Sequence, residues 1–343
     1  MDVVLGIESS CDETAAALVA DGHLVLAEAI ASQADDFAVW GGVVPEIAAR
    51  GHVLALPGLI DRVLREAQLG LDQIGCVAVG AWPGLIGSLL PGVTAAKMIA
   101  RRRGLPLVAV DHIAAHLAAV HLGRPEVPYP LVGLVASGGH SHLYLAEAPG
   151  RLTPLGGTID DAAGEAFDKA GAVLGLGYPG GPAVDRLASS GDPKRFKIPR
   201  SLRGDGSLRL SFAGMKTSLL YQVRGPKGLD PLTLDSQGVA DACASFQAAI
   251  VDCLVEVLFE AATRHGVAAV AVGGGVACNR GLRARLATEC NNRALTLLIP
   301  EPRHCADNAA MVAALGHQRW LRGELAGDDL APLPTGARRP GGS

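Results

Sequence analysis

The chain is short of aromatic residues, of clustered cysteine and of excess positive charge. Aromatic side chains make up 4% of its 343 residues. A core with so few large rings must be assembled from many small aliphatic contacts. Ala, Val, Leu and Gly dominate, which suits tightly packed α/β layers with glycine turns. No C-x-x-C pair occurs among the seven cysteines, Cys11, Cys76, Cys243, Cys253, Cys278, Cys290 and Cys305. Scattered and odd in number, they argue against a zinc finger or a disulfide framework and fit a reducing cytosol. The net charge is −4. A protein that bound nucleic acid over its whole surface would be basic, so any such role needs a local patch or a partner. The start, Met1-Asp-Val-Val-Leu-Gly6, lacks the basic region of a signal peptide. No membrane span is expected either. Residues 73–96 are uncharged, but Gly75, Gly80, Pro83, Gly84, Gly87, Pro91 and Gly92 interrupt them. They read instead as strand, Gly/Pro turn and helix.

What is present is organised in two halves, as the length prior for two domains also suggests. The first half opens with an apolar strand, Val3–Ile7, then the polar run Glu8-Ser-Ser-Cys-Asp-Glu-Thr14. A strand over Ala15–Val19 turns at Asp21-Gly22 and returns through His23–Ile30. Near residue 131 the pattern recurs: strand Leu131–Ala136, glycine turn Ser137-Gly-Gly-His-Ser141, returning strand His142–Ala146. Such duplication predicts a two-lobed protein with a cleft between the lobes. The linker is placed in the Pro-rich residues 123–130. Further on, helices are expected over 160–173, 182–189, near 237–265, from Asn279 and over about 308–322, with strands at Val267–Val272 and 294–299. Residues 190–215 read as irregular and basic, and the Pro/Gly-rich tail 327–343 as disordered.

His112 and His116 stand four residues apart in Val-Asp-His-Ile-Ala-Ala-His-Leu. On a helix, positions i and i+4 share a face, and two imidazoles on one face can clamp one metal ion. Asp111 is placed to cap that helix. His121 falls on roughly the opposite face, so this is a pair and not a stripe. Packing or capping would use the same spacing. The metalloprotease pattern requires Glu after the first His, and Ile113 stands there. Asp307, near the last helix start, either caps that helix or completes a two-His, one-carboxylate site.

Two hairpin tips suit a nucleotide's phosphates, because glycine lets backbone N–H groups approach an anion and hydroxyls add hydrogen bonds. The first tip offers Ser9, Ser10 and Thr14, with Asp12 and Glu13 as candidate catalytic carboxylates. The second offers Ser137, Gly138 and Gly139. Ordinary turns use the same residues. A third glycine turn, Gly273-Gly-Gly275, leads to Asn279, which either contacts adenine and ribose or caps the next helix. Asp168 and Asp185 are candidates for ribose hydroxyls or plain surface charges. Lys194, Arg195, Lys197, Arg200, Arg203, Arg209 and Lys216, with Phe196 and Phe212 nearby, form a solvated loop or an RNA-backbone contact. Cys11 and Cys278 flank two of the tips, but no activating base is evident, so packing is their expected role.

Taken in order, Gly6-Ile-Glu-Ser-Ser-Cys-Asp-Glu-Thr14, Gly41-Gly-Val-Val-Pro-Glu-Ile-Ala-Ala-Arg50, His112-x-x-x-His116, Ser137-Gly-Gly-His140, Gly164-Glu-Ala-Phe-Asp-Lys169, Gly177-Tyr-Pro-Gly-Gly181, Gly273-Gly-Gly-Val-Ala-x-Asn279 and Asp307-Asn308 form a specific set. Over residues 1–325 the chain resembles the tRNA N6-adenosine threonylcarbamoyltransferase family of TsaD type, formerly called O-sialoglycoprotein endopeptidase, in its bacterial branch. Ser141 and Ala213 depart from the residues usual there. The resemblance implies an α/β, duplicated, two-lobed actin-like or Hsp70-like ATPase fold with a central nucleotide and metal cleft. Its lobes would be 1–126, completed by the helix 307–325, and 127–306. It implies metal ligands at His112, His116 and Asp307, holding one divalent ion per subunit, with iron named first and zinc second. It implies substrate or nucleotide contacts at Val135, Ala136, Ser137, Gly138, Gly139, Asp168, Gly181, Asp185 and Asn279.

The implied reaction moves a threonylcarbamoyl group from threonylcarbamoyl-AMP to the N6 amine of the adenosine beside the anticodon, in tRNAs reading codons that begin with A. The cleft would hold that intermediate, or ATP or ADP. Implied partners are tRNA, a smaller metal-free paralogue, a separate P-loop ATPase and a threonylcarbamoyl-AMP synthase, all in the cytoplasm. An actin-like small-molecule kinase and a metallopeptidase are the competing classes.

Overall fold

The apolar runs become the strands of two sheets that share one order. The computed structural model describes residues 1–33, 37, 40, 42–202, 204 and 206–337. Two compact units divide the chain: residues 1–127, 148–151 and 303–343, and residues 128–147 and 152–302.

In the first unit, β1 (Val3–Glu8), β2 (Glu13–Ala20), β3 (Leu24–Ser32), β4 (Cys76–Trp82) and β5 (Leu107–Asp111) lie in the order β3-β2-β1-β4-β5. β1 pairs antiparallel with β2 and parallel with β4. It is buried along its whole length, which is why it reads as continuous apolar residues and not as an alternation. Its period of two still sorts the contacts. Val3, Leu5 and Ile7 join the core under helices α1 (Pro45–Ala67) and α2 (Ile86–Arg103). Gly6 faces helix α9 (Ala309–Leu321), the last helix of the chain. Between β5 and the unit boundary runs α3 (His112–Ala118), continued by a 3-10 turn through His121.

The second unit repeats the plan. β6 (Leu131–Ala136), β7 (Ser141–Ala148), β8 (Arg151–Thr158), β9 (Arg209–Leu210), β10 (Ala269–Gly273) and β11 (Thr296–Leu298) lie in the order β11-β10-β6-β7-β8-β9. Its helices are α4 (Ala163–Val173), α5 (Gly180–Ala188), α6 (Ala213–Arg224), α7 (Ser236–His265) and α8 (Arg280–Arg293). α7 is long and apolar enough to cross a membrane, but most of its apolar window is buried inside the unit, as in a core helix.

The structure corrects several sequence expectations. The irregular stretch 190–215 contains β9 and the start of α6. Asn308, not Asp307, caps α9, its Oδ1 accepting the Met311 N–H at 2.8 Å. The expected disordered tail is anchored as far as it is described. Leu333 N–H bonds Ala81 O and Thr335 N–H bonds Gly84 O, both at 3.0 Å, while Lys97 Nζ donates to Leu330 O at 2.9 Å. Leu330 packs on the apolar core, so this contact and the backbone bonds outweigh the Pro/Gly composition. Gly41, Arg203, Arg338 and Arg339 lie outside the described residues.

His121 sits apart from the histidine pair and is buried. Burial, then the neighbouring His23, pushes its pKa down to about 4. The fold holds it neutral, whereas the unfolded chain titrates near the ordinary histidine value. Its contribution is therefore complete above about pH 6.5 and lost as pH falls from there towards 4, up to about 3 kcal/mol. Urea midpoints measured across that window should fall, and His121→Asn should flatten that part of the curve.

Candidate functional site

The strand-to-helix step at β5 and α3 builds the first site. Asp111 ends β5 and caps α3, accepting the Ala114 N–H at 3.0 Å. The helix then starts at His112 and presents His112 and His116 one turn apart. Their rings meet edge-on with centroids 4.7 Å apart. Asp307 Oδ1 lies 3.4 Å from His112 Nε2 and 3.1 Å from His116 Nε2. A tetrahedral ion with bonds of about 2.0–2.2 Å separates its ligands by about 3.4 Å, which these distances match. Both ring nitrogens of His116 are buried without a hydrogen-bond partner. A buried imidazole left in this state costs stability, and a metal ion would satisfy it. The residues present therefore fit a divalent metal.

Glu8 was not singled out in the sequence. It ends β1, is fully buried, accepts the Ser10 N–H at 2.6 Å and places Oε2 3.2 Å from His112 Nδ1. That contact holds the proton on Nδ1 and aims Nε2 at Asp307. Burial alone would lower the His112 pKa, but the Asp307 and Glu8 carboxylates outweigh it and raise it well above the usual value. Burial would likewise raise Asp307, and the two imidazoles instead hold it well below the carboxylate range. The pocket is thus strongly biased towards bound positive charge. A charged residue closing an otherwise apolar strand was the available signal for Glu8.

His52 was also missed, two residues beyond Arg50, which ends the Gly41–Arg50 motif. Burial lowers its pKa, so the ring is neutral. The Cys11 carbonyl, 3.1 Å from Nε2, can only accept, so Nε2 carries the proton and Nδ1 accepts from the Thr14 hydroxyl at 2.7 Å. One side chain of α1 thereby ties the middle of the first tip to the start of β2. Asp12, Glu13 and Asp307 offer oxygens within 4.8 Å of one another. Burial, then Asp307 and Asp12, pushes the Glu13 pKa up to about 9. Burial and the same two carboxylates push the Cys11 thiol far above its ordinary range, which supports packing over nucleophilic use.

The second unit gathers the remaining candidates through a chain of contacts. The Ser137 carbonyl accepts the Gly164 N–H at 3.1 Å at the start of α4. One turn later Asp168 Oδ1 accepts the N–H groups of Gly180 and Gly181, at 2.8 and 3.3 Å. Asp185, on α5, accepts from Arg280 N and Nε at 3.1 and 2.8 Å. Asn279 caps α8 through Leu282 N–H at 2.9 Å and donates to Gln247 Oε1 at 2.7 Å. Gly274, at φ +90°, returns the chain to the second tip, where a Cβ would collide with the Ala136 carbonyl. Asp168, Asp185 and Asn279 thus all have a structural task. The basic stretch is less free than its composition implies. Arg200 pairs with Asp252 at 2.7 Å, Lys216 with Asp161 at 2.6 Å, and Phe212 is fully buried. Lys194, Arg195 and Lys197 are exposed.

A family model described as TsaD, tRNA N6-adenosine threonylcarbamoyltransferase, matches residues 24–314. A protein of that name from Geobacter sulfurreducens is 52% identical over 325 residues, covering 95% of this chain and 94% of its own. One from Geobacter metallireducens is 51% identical over 331 residues, covering 96% of each. Among solved structures, T. kodakarensis HypF superposes with a TM-score of 0.59 at 16% identity, over 96% of this chain and 48% of its own. Component A of the Acidaminococcus fermentans (R)-2-hydroxyglutaryl-CoA dehydratase gives 0.54 at 16% identity, over 93% and 99%. These two share the actin-like ATPase fold alone. With the family model spanning most of the chain and half the residues identical to curated members, the chain belongs to the TsaD family of tRNA N6-adenosine threonylcarbamoyltransferases.

Proposed function

We propose that the protein transfers a threonylcarbamoyl group from threonylcarbamoyl-AMP to N6 of the adenosine beside the anticodon, in tRNAs reading codons that begin with A. The observation that carries this reading is the His112, His116 and Asp307 cluster in a chain that belongs to this family. The adenine amine is a weak nucleophile, so its partner must arrive as a mixed anhydride. The N6–C bond forms, the bond from the carbamoyl carbon to the phosphate oxygen breaks, AMP departs and N6 loses a proton. A divalent ion held by His112, His116 and Asp307 would supply Lewis-acid charge to the donor. Glu8 orients His112, and His52 holds the tip that carries Asp12 and Glu13, the candidate carboxylates for the N6 proton. Backbone N–H groups of residues 135–139 and 181 are the candidates for phosphate, with Asp168, Asp185 and Asn279 for the nucleoside. Iron is the first candidate for the metal and zinc the second, since two imidazoles and a carboxylate suit both.

The proposed setting is the cytoplasm, with a smaller metal-free paralogue, a P-loop ATPase and a threonylcarbamoyl-AMP synthase as partners. In support, α1 and α2 leave an apolar groove of about 1050 Å³ lined by Val53, Leu54, Pro57, Leu90 and Met98. Leu54 is 82% and Met98 62% exposed, so the groove presents apolar side chains to solvent. The deciding assay supplies threonylcarbamoyl-AMP and unmodified tRNA, with and without those partners. Mass spectrometry of the digested tRNA should show the threonylcarbamoyl adduct on that adenosine. No adduct with every partner present would sink the proposal.

Exposed Lys194, Arg195 and Lys197 are the proposed tRNA-backbone contacts. Reversing all three to Glu should weaken tRNA binding at least tenfold and reduce the salt slope by roughly two to three, about one for each phosphate that is no longer neutralised. Filter binding at several salt concentrations checks both numbers. An unchanged slope would place the tRNA elsewhere.

A further inference from the structure

A second cluster in the first unit has metal-ligand character and plays no part in the site above. It joins Asp2, just ahead of β1, Asp21, in the turn between β2 and β3, and His317, in the last two turns of α9. Their ligand atoms all lie within 4.8 Å of one another. The two acids are locked side by side by the backbone. Asp2 N–H donates to Asp21 Oδ1 at 2.8 Å, and Asp21 N–H donates to the Asp2 carbonyl at 2.9 Å. Two carboxylates held this close repel each other unless a positive charge joins them.

His317 supplies the independent sign that a ligand belongs there. It is 5% exposed, and neither ring nitrogen has a hydrogen-bond partner. Its Nε2 lies 3.6 Å from Asp2 Oδ2, too far for a hydrogen bond and close to the ligand spacing of about 3.4 Å around a tetrahedral ion. The ring is held from the side by Trp320, 6.2 Å away and edge-on, and by the Gly22 backbone beneath it. Asp21 is exposed and the Asp2 side chain half-exposed, so water can complete the coordination.

We propose that Asp2, Asp21 and His317 form a second metal site, for a divalent first-row transition ion of the zinc class. One imidazole with two carboxylates is a mixed N/O donor set. Calcium and magnesium favour oxygen donors throughout, whereas zinc and its neighbours accept imidazole with carboxylate. The ion ties the first residues of the chain, a hairpin turn and α9 to one point. α9 follows directly on Asp307 and Asn308, so the second ion steadies the helix whose start presents Asp307 to the histidine pair. Its role is structural, and transfer chemistry does not depend on it.

Co2+ titration of the metal-stripped, full-length protein tests this, followed by visible absorbance and equilibrium dialysis. The wild-type chain should take up two equivalents. Asp21→Asn and His317→Gln should each take up one and retain threonylcarbamoyl transfer. His116→Ala should lose the other one. Zn2+ should raise the thermal midpoint of His116→Ala but not of His116→Ala/Asp21→Asn. Asp21 lies in an exposed turn, so its variant carries the test even if His317→Gln folds poorly. Uptake of one equivalent that Asp21→Asn leaves intact would overturn the second site. Uptake of one equivalent that Asp21→Asn abolishes and His116→Ala does not would support it, while overturning the histidine-pair assignment instead.

Discussion

His116→Ala should leave the protein unable to retain the metal of its histidine pair and should lower threonylcarbamoyl transfer on the order of 100-fold or more, since it removes one of the three ligands. Among the described residues, only one imidazole and one carboxylate would remain of that three-member cluster. His116 is buried to within 1% of its surface, so the truncation also leaves a small cavity. The truncation also removes one of the two imidazoles that hold the Asp307 carboxylate ionised. Both effects lower stability, so a reduced urea midpoint should accompany the loss, and metal content and transfer are compared on the folded protein. Glu8→Gln makes the contrast. It keeps all three ligands and loosens only the hold on His112 Nδ1, so metal affinity should fall by about 10- to 100-fold. Metal content after dialysis, read together with transfer rate, separates the two variants. A His116→Ala protein with full metal content and unimpaired transfer would mean that the ion is held elsewhere.

The contrast also shows what could be read from the sequence. A helical spacing is local, so His112 and His116 were legible as a pair. The turn at Asp21-Gly22 and the duplicated strand–tip–strand were legible for the same reason, since a period of two needs only neighbouring residues. Asp307 lies 191 residues from His116 along the chain, and no spacing rule joins them. The residues alone left it between cap and ligand, and the structure gave the cap to Asn308, one position on. Glu8 and His52 make their decisive contacts across 104 and 38 residues, in a strand end and a helix face that resemble ordinary core positions. The ion pairs inside the basic stretch were not legible, because composition records charges and not their partners. Asp252 and Asp161, from other parts of the second unit, neutralise two of them. The tail was misjudged in the same way, because its anchoring carbonyls at Ala81 and Gly84 lie far away in sequence.

Gly6→Ala should destabilise the protein by about 1–3 kcal/mol or more and should weaken metal binding, although Gly6 touches no ligand. Gly6 lies in mid-strand, where glycine ordinarily carries a conformational cost with no gain. Here it lets α9 approach β1. A Cβ at this position would collide with the Ala309 carbonyl and would sit 2.9 Å from the Ala313 Cβ. Neither is the loose end of a side chain, so α9 must move away from the sheet or β1 must buckle. Both movements reach the metal. Ala309 is the second residue after Asp307, and Glu8 is the second after Gly6. One displaces a ligand and the other the residue that aims His112. Gly58→Ala is the matched control. It lies exposed in α1, where an added methyl would meet nothing within 4 Å, and an alanine inside a helix should add about 0.5–1 kcal/mol. Urea unfolding should thus move in opposite directions for the two substitutions, and competition with a chelator should show weaker metal retention for Gly6→Ala alone. Equal stability of Gly6→Ala and wild type would mean that α9 and β1 can separate freely, and the coupling between that contact and the metal pocket would fail with it.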